Sequence, residues 1–254
     1  SSSSLALREV AWNEPSLAVA GAGGLALGLV DAGYHHLALV ERDARKVATL
    51  ERNGFTQAVC ADVGDVDYSQ WRGAVDLLSG GPPCQPFSGG GLLLGEADAR
   101  NGWEVTIAAT AALRPRAVLF ENVQGMLTER FAGYRRAISA RLDDLGYHHS
   151  WVPLDAANFG VPQRRRRVFL IGFADRRAWE AFTLPPTSRT RLTVRAALRR
   201  LGPPNGMNGH DAHGRAREYP GHTASTLDAP SKTIVAGGRG LGGGSGTVRL
   251  DSGE

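Results

Sequence analysis

Cysteine is almost missing from this chain of 254 residues: there are two, Cys60 and Cys84. Two thiols build neither a disulfide framework nor a zinc cluster, and a reducing cytoplasm is the compartment expected for such usage. Long apolar runs are missing as well. No window reaches the roughly 18 uninterrupted apolar residues of a membrane span, and residues 1–14 lack the charged-then-apolar order of a secretory leader. Lysine occurs only at Lys46 and Lys232, so the basic charge is almost all arginine. What remains is 42% hydrophobic, enough for a sizeable core and too much for a disordered chain. The net charge of +4 is unevenly spread: residues 1–127 carry −5 and residues 128–254 carry +9. The second half is therefore suited to meet a polyanion, although a solvated arginine-rich surface would give the same count.

Short apolar runs alternate with helical stretches through the first two thirds. Strands are expected at 17–20, 36–40, 57–60, 75–78, 117–120 and 168–171, and helices at 25–32, 44–53, 101–113 and 131–145. Alternation of this kind implies an α/β fold, a mainly parallel sheet with helices on both faces. Ligands of such sheets sit at the carboxyl ends of the strands. After about Leu184 periodicity fades and Pro, Gly, Asn and His become frequent, so a boundary is placed near Leu201. Residues 1–201 read as the main domain and 202–254 as a small irregular module.

The segment Ala20-Gly21-Ala22-Gly23-Gly24 follows the first strand and opens a helix. Glycines there allow a tight turn and close approach of a ligand to the backbone, though a purely structural turn would look the same. Glu41 ends the second strand, where ribose hydroxyls are commonly held. Asp62 follows the third strand and could accept a hydrogen bond from an adenine amine, or simply cap the turn toward Gly64. An adenosine-bearing cofactor explains the three features together.

Residues 80–88 read Gly-Gly-Pro-Pro-Cys-Gln-Pro-Phe-Ser. A cysteine set between prolines just past a strand is expected to be stiffly held and partly exposed, and its thiolate would be the reactive form. Cys60, inside an apolar strand, instead reads as a buried structural residue. The Cys84 segment closely resembles the catalytic motif of cytosine-5 DNA methyltransferases. The turn Ala20 to Gly24 is similar to the first motif of that family. Glu121-Asn122-Val123 is similar to its ENV motif, and Gln163 to Arg167 to its Q-x-R-x-R motif. The stretches Thr193 to Leu198 and Leu227 to Ile234 resemble the segments that flank its target-recognition region. The matches run in family order from about Leu17 to Ile234.

The resemblance implies a Rossmann-like S-adenosylmethionine-dependent sheet with a small target-recognition module, and methyl transfer to carbon 5 of cytosine in a specific short double-stranded DNA sequence. Cys84 would add to ring carbon 6, Glu121 would contact ring nitrogen 3 and the exocyclic amine, and Arg165 would stand near the carbonyl. Asn122 would hold the loop or the base. The target nucleotide would be flipped out of the duplex, with Gly89, Gly90, Gly91 and Gly95 as hinges of a closing loop. S-adenosylmethionine would lie against Gly21, Gly23, Gly24, Leu25, Glu41, Asp62 and Pro82. Gln85, Ser88, Gln163, Arg167, Arg215, Arg217, Lys232 and Arg239 are candidates for the DNA side, while Arg164 and Arg166 read as solvated charge. No metal is required; His210, Asp211, His213 and His222 are read as a loop rather than a metal site. A monomer is expected, with a cognate restriction endonuclease as a functional rather than a physical partner.

Three departures from the family pattern stand out. Val19 and Arg42 occupy positions that are often aromatic, which is expected to weaken cofactor contacts. The family's last motif, expected after the recognition region and against the glycine turn, does not occur before Glu254. Two other readings are an RNA cytosine-5 methyltransferase and a catalytically impaired DNA-binding relative. The RNA-modifying branch carries a Cys-Phe-Thr signature after the Q-x-R-x-R segment, whereas no cysteine follows Cys84. A pure binder needs none of Cys84, Glu121 and Arg165.

Overall fold

The computed structural model describes residues 14–82, 102–188, 190–199, 225–233 and 248–249. Seven strands form one sheet: β1 (Glu14–Val19), β2 (Tyr34–Glu41), β3 (Ala58–Cys60), β4 (Leu77–Gly80), β5 (Ala117–Val123), β6 (His148–Asp155) and β7 (Arg166–Phe173). Their order is β3-β2-β1-β4-β5-β7-β6. The first five are parallel. The Ala174 N–H at the end of β7 donates to the Arg116 carbonyl at the start of β5, so β7 runs against β5. At the other end of β7 the Ala156 N–H donates to the Arg165 carbonyl, which closes β6 and β7 as a hairpin.

Helices α1 (Gly24–Asp31), α2 (Ala44–Arg52), α3 (Gly102–Leu113) and α4 (Ala132–Asp144) connect the strands. Side chains alternate across the strands, and the core divides accordingly. Leu17, Ala38, Leu78 and Val118 face one cluster with Trp103, Ile107, Ile138 and Leu142 of α3 and α4. Ala18 and Leu39 face the other with Ala26 and Leu50 of α1 and α2. Both sheet faces are thus covered, as the strand-helix alternation requires.

Two compact units result, Ser1–Val152 with Val168–Phe182, and Pro153–Arg167 with Thr183–Glu254. The boundary expected near Leu201 lies outside the described residues. Within the second unit are α6 (Val194–Leu198) and the paired strands β8 (Ser225–Thr226) and β9 (Val248–Arg249), while α5 (Arg176–Ala181) closes the first. Among the described residues no helix is long and apolar enough to cross a membrane.

Two expectations need correction. Cys60 is exposed rather than buried, because β3 is a three-residue strand at the sheet edge and only one of its faces is covered. Strand β6 went unread because His148, His149 and Pro153 break its apolar pattern; at the sheet edge a missing N–H and polar side chains are tolerated.

One buried polar contact fixes α1 on the sheet. His36 of β2 sits 2.9 Å from the Ala26 carbonyl through Nε2 and 2.8 Å from Ser16 Oγ through Nδ1. A carbonyl only accepts, so Nε2 carries the proton and Nδ1 accepts from the serine hydroxyl. Burial holds the imidazole below its ordinary value of 6.5; His35 adds to the effect and the Ala26 bond opposes it. The unfolded chain takes up a proton near 6.5 that the folded chain resists, so this contribution is complete above that pH and is lost as pH falls through it. The urea midpoint is expected to drop as pH is lowered through 6.5, and His36→Gln to flatten that drop, in a pH series of denaturant titrations.

Candidate active site

The register of the parallel strands aligns Val40, Val19, Gly80 and Phe120 in one row across the sheet. The next residue of each strand is therefore also in line: Glu41, Ala20, Gly81 and Glu121. The glycine turn and three of the sequence-flagged positions meet at a single edge for this reason alone. Gly80 is required there, since a Cβ on it would come within 2.9 Å of Val19 Cβ.

Gly21 and Gly23 hold φ of 56° and 96°, the left-handed region that glycine enters without strain. Gly23 also has no room for a side chain: a Cβ would fall 2.7 Å from Leu50 Cδ2, and Leu50 is itself buried. Gly24 and Leu25 start α1, Gly24 exposed and Leu25 half-buried.

Glu41 is buried rather than a surface cap. Its Oε1 accepts the Asp43 N–H at 2.9 Å and lies 3.5 Å from Lys46 Nζ, while Oε2 meets no protein donor among the described residues. Asp62 does make the bland contact foreseen for it, accepting the Gly64 N–H at 2.9 Å. Its other oxygen stands 3.8 Å from the Arg42 guanidinium. The loop after it is pinned by Tyr68, whose hydroxyl donates to the Val63 carbonyl at 2.9 Å. Burial, with the Asp62 charge nearby, pushes that hydroxyl up to about 12, so Tyr68 remains a neutral donor.

At this edge of the sheet lies a small apolar cleft. Val19, Val63, Leu78, Pro82, Val105 and Phe120 line it. Val63 and Val105 were not singled out from sequence. Val63 could have been, as the apolar neighbour of Asp62; Val105 on α3 carries no local signal. The same sheet edge thus carries apolar walls, bare backbone and a buried acceptor, the kinds of group that an adenosine-bearing molecule needs.

The strand carrying Glu121 extends further than its apolar run suggested, to Val123. Glu121 and Asn122 are therefore held in the ladder instead of in a loop. Glu121 Oε2 would stand 3.5 Å from a Cβ at Gly81, which places the carboxyl over the start of the cysteine segment. Asn122 is buried. Its Nδ2 donates to the Pro82 carbonyl at 3.3 Å and its Oδ1 accepts the Val123 N–H at 2.9 Å. It thus anchors the point where the chain leaves β4. Cys84, Gln85, Ser88 and the four hinge glycines lie outside the described residues, as do Arg215, Arg217, Arg239, Asp211 and His210, His213 and His222.

A family model, the C-5 cytosine-specific DNA methylase, matches residues 18–225. The chain belongs to this family. Among curated methylases of the family, the Type II methyltransferase M.NaeI of Lentzea aerocolonigenes is 38% identical over 227 residues, which is 88% of this chain and 52% of that protein. M.NgoMIV of Neisseria gonorrhoeae is 42% identical over 60% of this chain and 49% of its own length. The chain thus spans about half the length of the curated methylases it matches. A prophage-encoded DNA modification methyltransferase of Escherichia coli superposes with a TM-score of 0.59 at 25% identity, covering 73% of this chain and 54% of that one. A Dnmt2 protein of Spodoptera frugiperda, at 21% identity and TM-score 0.58 over 72% of this chain and 59% of its own, shares the fold.

In the second unit of the chain, Gln163, Arg165 and Arg167 alternate with Arg164 and Arg166: the first three are half-buried and the other two exposed. Arg166 faces Asp155 at 3.6 Å, and Arg167 turns back to donate to the Arg166 carbonyl at 2.7 Å. Gln163 bridges to Ser231 in parallel, joining the two family motifs that are 68 residues apart in sequence.

Gly23→Ala is expected to destabilise the protein by roughly 1–3 kcal/mol, through the forced left-handed backbone alone. Gly24→Ala, whose Cβ meets nothing, should cost nothing or stabilise slightly. Equilibrium urea unfolding of the two variants measures the difference.

Proposed function

We propose that this methylase transfers a methyl group to carbon 5 of cytosine in a short double-stranded DNA sequence, in a restriction-modification setting. S-adenosylmethionine, when bound, supplies the methyl group. The observation that carries the reading is the seat of Glu121 over Gly81, with Asn122 fastening Pro82, so that the Glu121 carboxyl and the root of the Cys84 segment stand at one edge of the sheet.

The chemistry follows from these residues. The Cys84 thiolate adds to cytosine carbon 6 and pushes the ring electrons toward carbon 5 and nitrogen 3. Glu121, carrying a proton, gives it to nitrogen 3, and Arg165 stabilises the charge on the carbonyl oxygen. Carbon 5 becomes the nucleophile. Once carbon 5 carries the methyl group, water takes its proton, the C6–S bond breaks to release the thiolate, and the nitrogen-3 proton returns to Glu121 as the aromatic ring is restored. Glu41, through its open oxygen, would hold ribose hydroxyls, and Gly21 to Leu25 and Asp62 the rest of the cofactor. The target base must leave the helix to reach Cys84, at a cost of about a few kcal/mol.

Incubation with S-adenosylmethionine and unmethylated bacterial DNA, followed by bisulfite sequencing, is expected to find 5-methylcytosine confined to one short motif. Cys84→Ala should remove the signal while duplex binding persists. Modification that survives in the variant, or a folded wild-type chain that leaves the DNA unmodified, would overturn the reading.

A further inference from the structure

We propose that Lys46 is a positioning residue of the cofactor site: it pins one oxygen of the Glu41 carboxylate and leaves the other to the ribose hydroxyls. The proposal rests on S-adenosylmethionine binding at this edge of the sheet, as above, and adds a residue to that site.

Three cations crowd the turn from β2 into α2, and each faces a different carboxylate. Arg42 stands 3.8 Å from Asp62, Arg45 3.2 Å from Asp43 and Lys46 3.5 Å from Glu41. The three acids differ in setting. The Asp62 side chain is 48% exposed and that of Asp43 29%, whereas that of Glu41 is 8% exposed. Water therefore screens the Lys46 pair least. Asp43 does not compete for Lys46, because its oxygens already take the Arg45 N–H, Nε and Nη2 as it caps α2.

Lys46 also sits where the helix itself opposes it. With Asp43 as N-cap it lies in the first turn of α2, whose free N–H groups favour an acid or an amide and disfavour a cation. No acidic residue follows the cap in that turn. The charge does not serve the helix; the group it meets is Glu41 at the end of the preceding strand.

A division of labour within the carboxylate follows. Glu41 Oε1 takes the Asp43 N–H at 2.9 Å and the Lys46 ammonium at 3.5 Å, which occupies both of its lone pairs. Oε2 meets no protein donor among the described residues. A buried carboxylate needs donors on both oxygens, and the two neighbouring hydroxyls of a ribose supply them. With Oε1 held at two points the plane of the carboxylate is set beforehand, so less freedom is lost when the ribose arrives.

Isothermal titration calorimetry tests this with S-adenosylhomocysteine and with its analogue that lacks both ribose hydroxyls. Lys46→Met should weaken binding of S-adenosylhomocysteine by roughly three- to tenfold, and Lys46→Arg should keep most of the affinity. The analogue offers nothing to Oε2 and should bind the wild type and Lys46→Met alike. In a Glu41→Gln background, Lys46→Met should add no further loss. Lys46→Gln completes the capping pattern of α2, so it repeats the measurement in a favoured helix and should also lose affinity. Wild-type affinity for S-adenosylhomocysteine in both uncharged variants would overturn the proposal. So would an equal loss with the analogue, which places Lys46 against another part of the ligand, or a loss that adds to that of Glu41→Gln. If the wild type binds S-adenosylhomocysteine and the Lys46 variants match it, only the positioning role falls. A folded wild type that binds neither ligand removes the cofactor site and the positioning role together.

Discussion

The register of four parallel strands is the constraint from which the rest of the site follows. Because Val40, Val19, Gly80 and Phe120 form one row, the chain leaves three strands at the same level while Glu121 stands beside them. Each exit supplies a different chemical element: a buried carboxylate from β2, bare backbone from β1, and the root of the cysteine segment from β4. A slip of one residue in any pairing would turn that strand's side chains to the opposite face and dismantle the row. The close approach of Gly80 to Val19 guards the register at its centre, since no larger residue fits there.

Helix placement adds a second level of control. Buried His36 ties α1 to the sheet through the Ala26 carbonyl, and Leu50 of α2 packs where a Gly23 side chain would go. The turn between β1 and α1 is thus shaped by contacts from both neighbouring elements. On the far side, Asn122 spends its buried amide on two backbone groups instead of on solvent. It acts as a strut between β5 and the segment that follows β4, independent of any ligand.

The parallel core was legible because its strands are short apolar runs punctuated by glycine and followed by helical patterns, and the motifs sat where strands end. Legibility failed where local sequence and tertiary context disagree. β6 carries histidines and a proline and is still a strand, because hairpin pairing with β7 and an edge position override its weak propensity. Cys60 looks apolar in sequence and is exposed because its strand is an edge. Asp62 was read as either ligand or cap; it makes the cap, through one oxygen. The bridge between Gln163 and Ser231 could not be seen at all, since nothing local connects residues so far apart in the chain. The methylase family was readable from the cysteine motif, whereas the apolar cleft beside Pro82 emerged only from packing.

The bidentate bond of Arg195 to Asp228, with the backbone bonds that flank it, has a consequence for how such proteins diversify. It holds the two ends of the intervening stretch together through residues that lie outside it. The closure cost of a flexible loop rises by only about 0.6 kcal/mol for each doubling of its length. Segments of different size can therefore be accommodated between the same two anchors at little cost.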